Sequence, residues 1–145
     1  MDQTAMRAQF NTNPLHAILL AFPVALYPSA LLSDITYLNT AEVQWTNFSS
    51  WLIAGADFFA GLVLASAILS LLFGRSHASR HSSLTYIAIV AAMFVAGVVN
   101  AFQHARDGWH SVGTFGLILS ILCTLLALAA AWFTYGSPRR TETRA

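Results

Sequence analysis

The chain has 145 residues, of which 57% are hydrophobic and only 9% are charged, and its formal net charge at pH 7 is +1. Soluble domains average about 25% charged residues, so this composition excludes a soluble globular domain and indicates an integral membrane protein. The small net charge gives no basis for binding nucleic acid, and the single cysteine, Cys123, excludes an intramolecular disulfide or a paired-cysteine motif.

Four apolar segments are each long enough to cross a hydrocarbon core, which needs about 20 residues. They are residues 14–33, 50–73, 84–103 and 111–135. Short connections make consecutive helices antiparallel neighbours. The sequence therefore predicts an all-α, integral membrane protein that forms an up-down four-helix transmembrane bundle in a single domain, with solvated tails at residues 1–12 and 137–145.

The first span opens with a helix-start signal, because Asn13 can cap free amides and Pro14 has no amide that needs a partner. His16 is then in the first helical turn, and Asp34 lies on the same face about 27 Å further along. His16 is open to two interpretations, a hydrogen-bonded interior histidine or a cofactor ligand. The connection at residues 35–49 is long enough for a short helix on the membrane surface.

The arginines are unevenly distributed between the two sides of the predicted bundle. The leader, the second connection and the tail share one side and hold six of the seven arginines, whereas Arg106 is on the opposite side. Positive charge favours the cytoplasmic side. Both termini are therefore predicted to be cytoplasmic, in a multi-pass membrane protein whose basic second connection meets anionic lipid headgroups.

Asp57 is the only acidic residue inside a predicted span. A carboxylate that faces lipid at mid-membrane costs about 2.5–3.5 kcal/mol, so Asp57 is expected to face the interior and to pair with Arg106 or a histidine. On the third helix, Asn100 and His104 follow one another at four-residue spacing on a single stripe. We therefore predict a buried polar network in the outer half of the bundle that consists of Asp34, Asp57, Asn100, His104, Arg106 and His110.

This network has a structural and a functional interpretation. It either fixes the register of the helices by ion pairs and hydrogen bonds, or it forms a site for a ligand, a proton or a metal. His104 and His110 flank a five-residue turn, and two imidazoles at one depth suit a bis-histidine haem. The candidate cofactor-binding residues are thus His16, His104 and His110, for a b-type haem or a quinone, and no dedicated metal site is predicted. The sequence has no GxSxG, HExxH or glycine-rich phosphate loop, so no enzymatic activity is expected.

The opening of the first span and the start of the fourth resemble a bacterial membrane family named domain of unknown function 2231. The residues that match its Pro-Leu-His-Pro-x-x-x-His-Phe-Pro opening are Pro14, Leu15, His16, Phe22 and Pro23, and His110 matches a histidine that often begins the last helix. Ala17 replaces a proline, and Ala21 stands where the family has a second histidine. The resemblance implies four helices in a bacterial inner membrane. Some relatives are fused to or encoded beside redox proteins, so the resemblance also implies a link to membrane electron transfer.

Three functions follow as hypotheses. The first is a small membrane subunit or anchor that supports periplasmic redox chemistry, with the lipid bilayer and a membrane or periplasmic oxidoreductase subunit as partners. The second is a structural or assembly protein without a cofactor, whose buried polar groups only set the register of the helices. A homo-oligomer is a further possible assembly, and an oligomer could build a pore. A transporter or channel is less favoured, because the sequence shows neither an inverted repeat nor broken helices at corresponding positions.

Overall fold

A computed structural model describes residues 14–73, 80–106 and 112–136, and for residues 80–82 it describes the backbone only. These ranges contain four α-helices: α1 (Pro14–Thr40), α2 (Val43–Leu72), α3 (Arg80–His104) and α4 (Thr114–Tyr135). Each is long and apolar enough to cross a membrane. The prediction of an all-α protein with four spans is confirmed.

The helices are apolar on their outer surfaces as well as on their inner ones, which is typical of membrane spans. Large rings such as Trp51 and Trp132 are 74% and 77% exposed, and other exposed positions are occupied by phenylalanine, leucine and isoleucine. Lipid tails are as apolar as these side chains, so the helices gain no hydrophobic energy by burying them. Close packing and interhelical hydrogen bonds must therefore hold the bundle together.

The first connection is much shorter than predicted. α1 continues through its polar end to Thr40, where the hydroxyls of Thr36 and Thr40 donate to the carbonyls four residues earlier at 2.8 and 2.9 Å. Ala41 then takes a left-handed φ of 56°, which ends α1, and α2 begins at Val43. The connection predicted at residues 35–49 is therefore wrong, because residues 35–40 continue α1 and residues 43–49 begin α2.

The four helices form a closed antiparallel ring in which α1 packs on α2, α2 on α3, α3 on α4, and α4 back on α1. One end of the bundle contains the C-terminal parts of α1 and α3 and the N-terminal parts of α2 and α4, and we call it the Asp34 end. The opposite end is called the His16 end. Between them lies an apolar layer of fully buried side chains that includes Leu20, Val63, Val90 and Met93.

Candidate functional site

Asp34 is completely buried and contacts each of the other three helices. Its Oδ1 accepts a hydrogen bond from the Ser49 hydroxyl of α2 at 2.5 Å, and its Oδ2 accepts one from the Ser120 hydroxyl of α4 at 2.5 Å. Oδ1 also lies 3.0 Å from Nε2 of His104 on α3. These three contacts replace the hydrogen bonds with water that a carboxylate loses on burial, which allows Asp34 to be buried in the bundle.

The hydrogen bonds of His104 determine how many protons the site holds. Nδ1 lies 3.0 Å from the backbone carbonyl oxygen of Asn100, and a carbonyl can only accept, so Nδ1 carries a hydrogen. The contact between Nε2 and Asp34 Oδ1 needs a second proton, on the ring or on the carboxyl group, because two acceptors would otherwise face each other at 3.0 Å. The buried pair therefore holds one proton between its two partners.

Asn100 extends this cluster toward the middle of the bundle. Its side chain is 0% exposed, and its Nδ2 donates to the Ser120 hydroxyl oxygen at 3.0 Å. Within the part of the chain that the structure describes, its Oδ1 has no hydrogen-bond partner. The polar cluster at the Asp34 end thus consists of Asp34, Ser49, Asn100, His104 and Ser120.

A cleft opens beside this cluster at the Asp34 end. Its volume is about 360 Å³, and it lies between the first two turns of α2 and the end of α3. The residues that line it are Val43, Gln44, Thr46, Asn47, Ser50, His104 and Arg106. Arg106 is exposed, whereas His104 is buried and bonded to Asp34. His104 therefore stands between the open cleft and the buried carboxylate.

Asp57 belongs to a separate pair deeper in the bundle. Its Oδ1 accepts a hydrogen bond from the Tyr27 hydroxyl of α1 at 2.6 Å. The expectation that Asp57 pairs with Arg106 or a histidine is corrected by this contact. The physical reason is depth, since Asp57 lies eight residues along α2 from Ser49, or about 12 Å from the level of the Asp34 cluster.

Gly97 of α3 makes room for this pair. A β-carbon at this position would lie 2.9 Å from Cγ of Asp57, and still closer to Oδ1 of Asp57 and the hydroxyl oxygen of Tyr27. Only a residue without a side chain allows the backbone of α3 to approach the two polar groups this closely. Gly97 is thus part of the packing that holds the carboxylate in the interior.

His16 lies at the opposite end of the bundle, where it joins three helices. One ring nitrogen is 2.7 Å from the Ser66 hydroxyl of α2, and the other is 2.7 Å from the Tyr86 hydroxyl of α3. Nearby, the Tyr135 hydroxyl of α4 donates to the carbonyl oxygen of Ala17 at 2.8 Å. Both ends of the bundle are therefore tied by interhelical polar contacts.

The described histidines do not fit the axial ligation of a haem. His16 and His104 are at opposite ends of the bundle, and both ring nitrogens of each are within hydrogen-bonding distance of protein groups. Among the described residues there is no group of three histidine, cysteine or acidic side chains suited to a metal ion. His110 lies outside the described residues, so its pairing with His104 stays a prediction.

The structure brings together three of the six residues proposed for the polar network, Asp34, Asn100 and His104. It separates Asp57 from them and puts Arg106 at the rim of the cleft. Sequence reasoning missed Ser49 and Ser120 as partners of the carboxylate. A signal was present, because short hydroxyl side chains inside transmembrane helices commonly form hydrogen bonds between helices.

A comparison with family models finds one described as "Predicted membrane protein (DUF2231)", which matches residues 12–135. The chain belongs to this family. No curated protein and no solved structure matches it. In this DUF2231 protein Ala21, at the position of the motif's second histidine, is exposed on α1, about 140° around the helix from His16. This chain therefore has no imidazole at the position of the motif's second histidine.

Proposed function

We propose that this protein is a small multi-pass membrane subunit or anchor that supports the redox chemistry of a partner protein by holding a proton in its Asp34–His104 pair. The observation that carries this proposal is the contact of 3.0 Å between Nε2 and Oδ1, which requires one proton and lies beside an open cleft. Electron transfer at a membrane is commonly coupled to proton transfer, so a proton-holding pair at one end of a bundle suits this role.

The surroundings of the pair support reversible exchange of that proton. The hydroxyls of Ser49 and Ser120 donate to Asp34 whether the proton is on the ring or on the carboxyl group. Preorganised donors of this kind reduce the rearrangement that a proton transfer requires. The proton can then move between Nε2 and Oδ1 without a change in the positions of the helices.

Of the two cofactors considered, a quinone suits the described residues better than a haem. Gln44, Asn47 and Arg106 line the cleft and offer donors for carbonyl oxygens. A quinone supplies two-electron chemistry coupled to protons, and this chain would contribute the donors that orient it.

The orientation in the membrane forms part of the proposal. Six of the seven arginines precede α1, lie from the end of α2 to the first residue of α3, or follow α4, and these helix termini belong to the His16 end. Arg106 is at the Asp34 end. By the positive-inside rule, the Asp34 end and its cleft face the periplasm of a bacterial inner membrane, and both termini are cytoplasmic. The redox partner is then a membrane or periplasmic oxidoreductase.

The test is affinity purification from native membranes in mild detergent, with the quinone-linked activity and the absorption spectrum of the purified material as readouts. We expect an oxidoreductase to co-purify, and its activity to fall at least about tenfold in His104→Gln, because proton transfer by a positioned side chain contributes a factor of this size or more. His16→Gln is the matched control and leaves the activity unchanged. Purification without an oxidoreductase, or equal losses in both variants, refutes the proposal.

A structural or assembly role is the second candidate, and one specific observation favours it. Asp34 of α1 forms polar contacts with α2, α3 and α4 at once, so a single side chain fixes the register of the whole bundle. Under this alternative, the double variant Asp34→Asn/His104→Gln supports normal cell function whenever it folds. Under the redox proposal, the folded double variant remains inactive.

A further inference from the structure

We propose a buried water-binding site in the middle of the bundle, in which a water molecule donates to Oδ1 of Asn100 and connects the Tyr27–Asp57 pair to the Asp34–His104 pair. The site makes one continuous polar path from the Asp34 end to Asp57. It does not depend on the proposed redox role, because the same path exists whether or not a partner protein binds.

The first support is the side chain of Asn100 itself. It is 0% exposed, its Nδ2 is bonded to Ser120, and its Oδ1 has no donor within the described residues. A buried acceptor that is left without a hydrogen bond is costly, and buried waters in proteins commonly bond to such groups. The amide cannot gain by turning over, because the Ser120 hydroxyl already donates its hydrogen to Asp34 and can only accept from Asn100.

The second support is the position of Asn100 along α3. It follows Gly97 by three residues, so it lies on nearly the same face and about 4.5 Å closer to the Asp34 end. Gly97 is where the Asp57 carboxylate and the Tyr27 hydroxyl lie against the α3 backbone. Asn100 is thus at a depth between Asp57 and the Asp34 cluster, and in the proposed site the water donates to the amide oxygen and to the Asp57 carboxylate.

The third support is the boundary of the path. Beyond Asp57 toward the His16 end, the interior is filled by Leu20, Val63, Val90 and Met93, all of them fully buried. These side chains offer no hydrogen-bonding groups, and well-packed apolar interiors do not hold water. The path is therefore open to one end of the bundle only, and protons at Asp57 exchange with the Asp34 end and not with the His16 end.

Cys123 is a native probe of this path. It is the only cysteine in the chain, it is fully buried, and it lies three residues after Ser120 on α4. Its S–H stretching band in the infrared reports exchange of hydrogen for deuterium after protein in lipid nanodiscs is transferred to D₂O. We expect Asn100→Leu, which removes the acceptor at similar volume, to slow this exchange by roughly tenfold, as the loss of ~1.4 kcal/mol of hydrogen bonding implies.

Two control variants accompany this measurement. Asn100→Ser keeps an acceptor at the site and exchanges at about the wild-type rate. Ser66→Ala removes a polar contact of His16 at the other end and leaves the rate unchanged. Exchange in Asn100→Leu at the wild-type rate overturns the proposal, and so does equal slowing in Ser66→Ala.

A measurement on the wild-type protein covers the case in which Asn100→Leu does not fold. In an experimental structure at a resolution that shows buried waters, we expect density within hydrogen-bonding distance of Asn100 Oδ1. A map that shows other buried waters and no density at this atom overturns the proposal. Neither outcome depends on an oxidoreductase partner, so the proposed function and this inference fail separately.

Discussion

Replacing Gly97 with alanine tests how closely the backbone of α3 approaches the buried acid. The added methyl group would lie 2.9 Å from Cγ of Asp57 and would overlap its Oδ1 and the Tyr27 hydroxyl oxygen. The backbone of α3 and the hydrogen-bonded side chains of Tyr27 and Asp57 meet at this point. The overlap is therefore relieved only if the helices separate or if the hydrogen bond of 2.6 Å between Tyr27 and Asp57 breaks.

The expected change in the free energy of unfolding combines two costs and one gain. Overpacking a filled interior costs about 1–3 kcal/mol. Loss of an interhelical hydrogen bond in a membrane protein costs a further ~0.6 kcal/mol on average. Alanine is intrinsically better than glycine in a helix by about 1 kcal/mol, which offsets part of the loss. We therefore expect Gly97→Ala to lower the free energy of unfolding by about 0.6–2.6 kcal/mol.

The assay is reversible unfolding in mixed detergent and SDS micelles, followed by circular dichroism. Gly55→Ala on α2 is the matched control, because a β-carbon there meets only Leu26 Cδ1 at 3.4 Å, an ordinary contact. It should raise the free energy of unfolding by about 0.5–1 kcal/mol. In an Asp57→Ala background the cost of Gly97→Ala should shrink by ~1 kcal/mol or more. Equal stabilities of Gly97→Ala and Gly55→Ala would refute the packing argument.

Three further predictions concern stability in the same assay. Ala41→Gly relieves the left-handed φ of 56° and should stabilise the protein by about 1 kcal/mol, and a lower stability would contradict this. Asp34→Asn breaks the buried pair and should lower the free energy of unfolding by roughly 3 kcal/mol, and adding His104→Gln should recover at least ~1 kcal/mol of that loss. A double variant whose loss equals the sum of the losses of the two single variants would argue against the shared proton. His16→Phe removes two hydrogen bonds and should lower the free energy of unfolding by about 1 kcal/mol. Because the rings of His16 and His104 lie at opposite ends of the bundle, the effects of His16→Phe and His104→Gln should add within ~0.5 kcal/mol.

The amino-acid sequence by itself determined the spans and the depth of most polar groups. A bilayer requires about 20 apolar residues and accepts only backbone that satisfies its own hydrogen bonds, so hydropathy alone predicts four helices. The fixed rise of a helix then puts Asp34 and His104 near the same end of an antiparallel bundle. The prediction of a connection at residues 35–49 is wrong because this segment is polar in sequence. Its threonine hydroxyls bond to carbonyls of their own helix, so polar residues here do not end the helix.

The tertiary structure decided which groups meet at each depth. Arg106 is excluded as a partner of Asp57 by depth, but the choice of Tyr27 at the depth of Asp57 depends on the rotation of α1 about its axis and on the close approach of α3 at Gly97. The partnership of Asp34 with Ser49 and Ser120 has the same origin. Rise per residue fixes depth from local geometry, whereas the direction a side chain faces depends on how all four helices pack, which no single segment of the chain encodes.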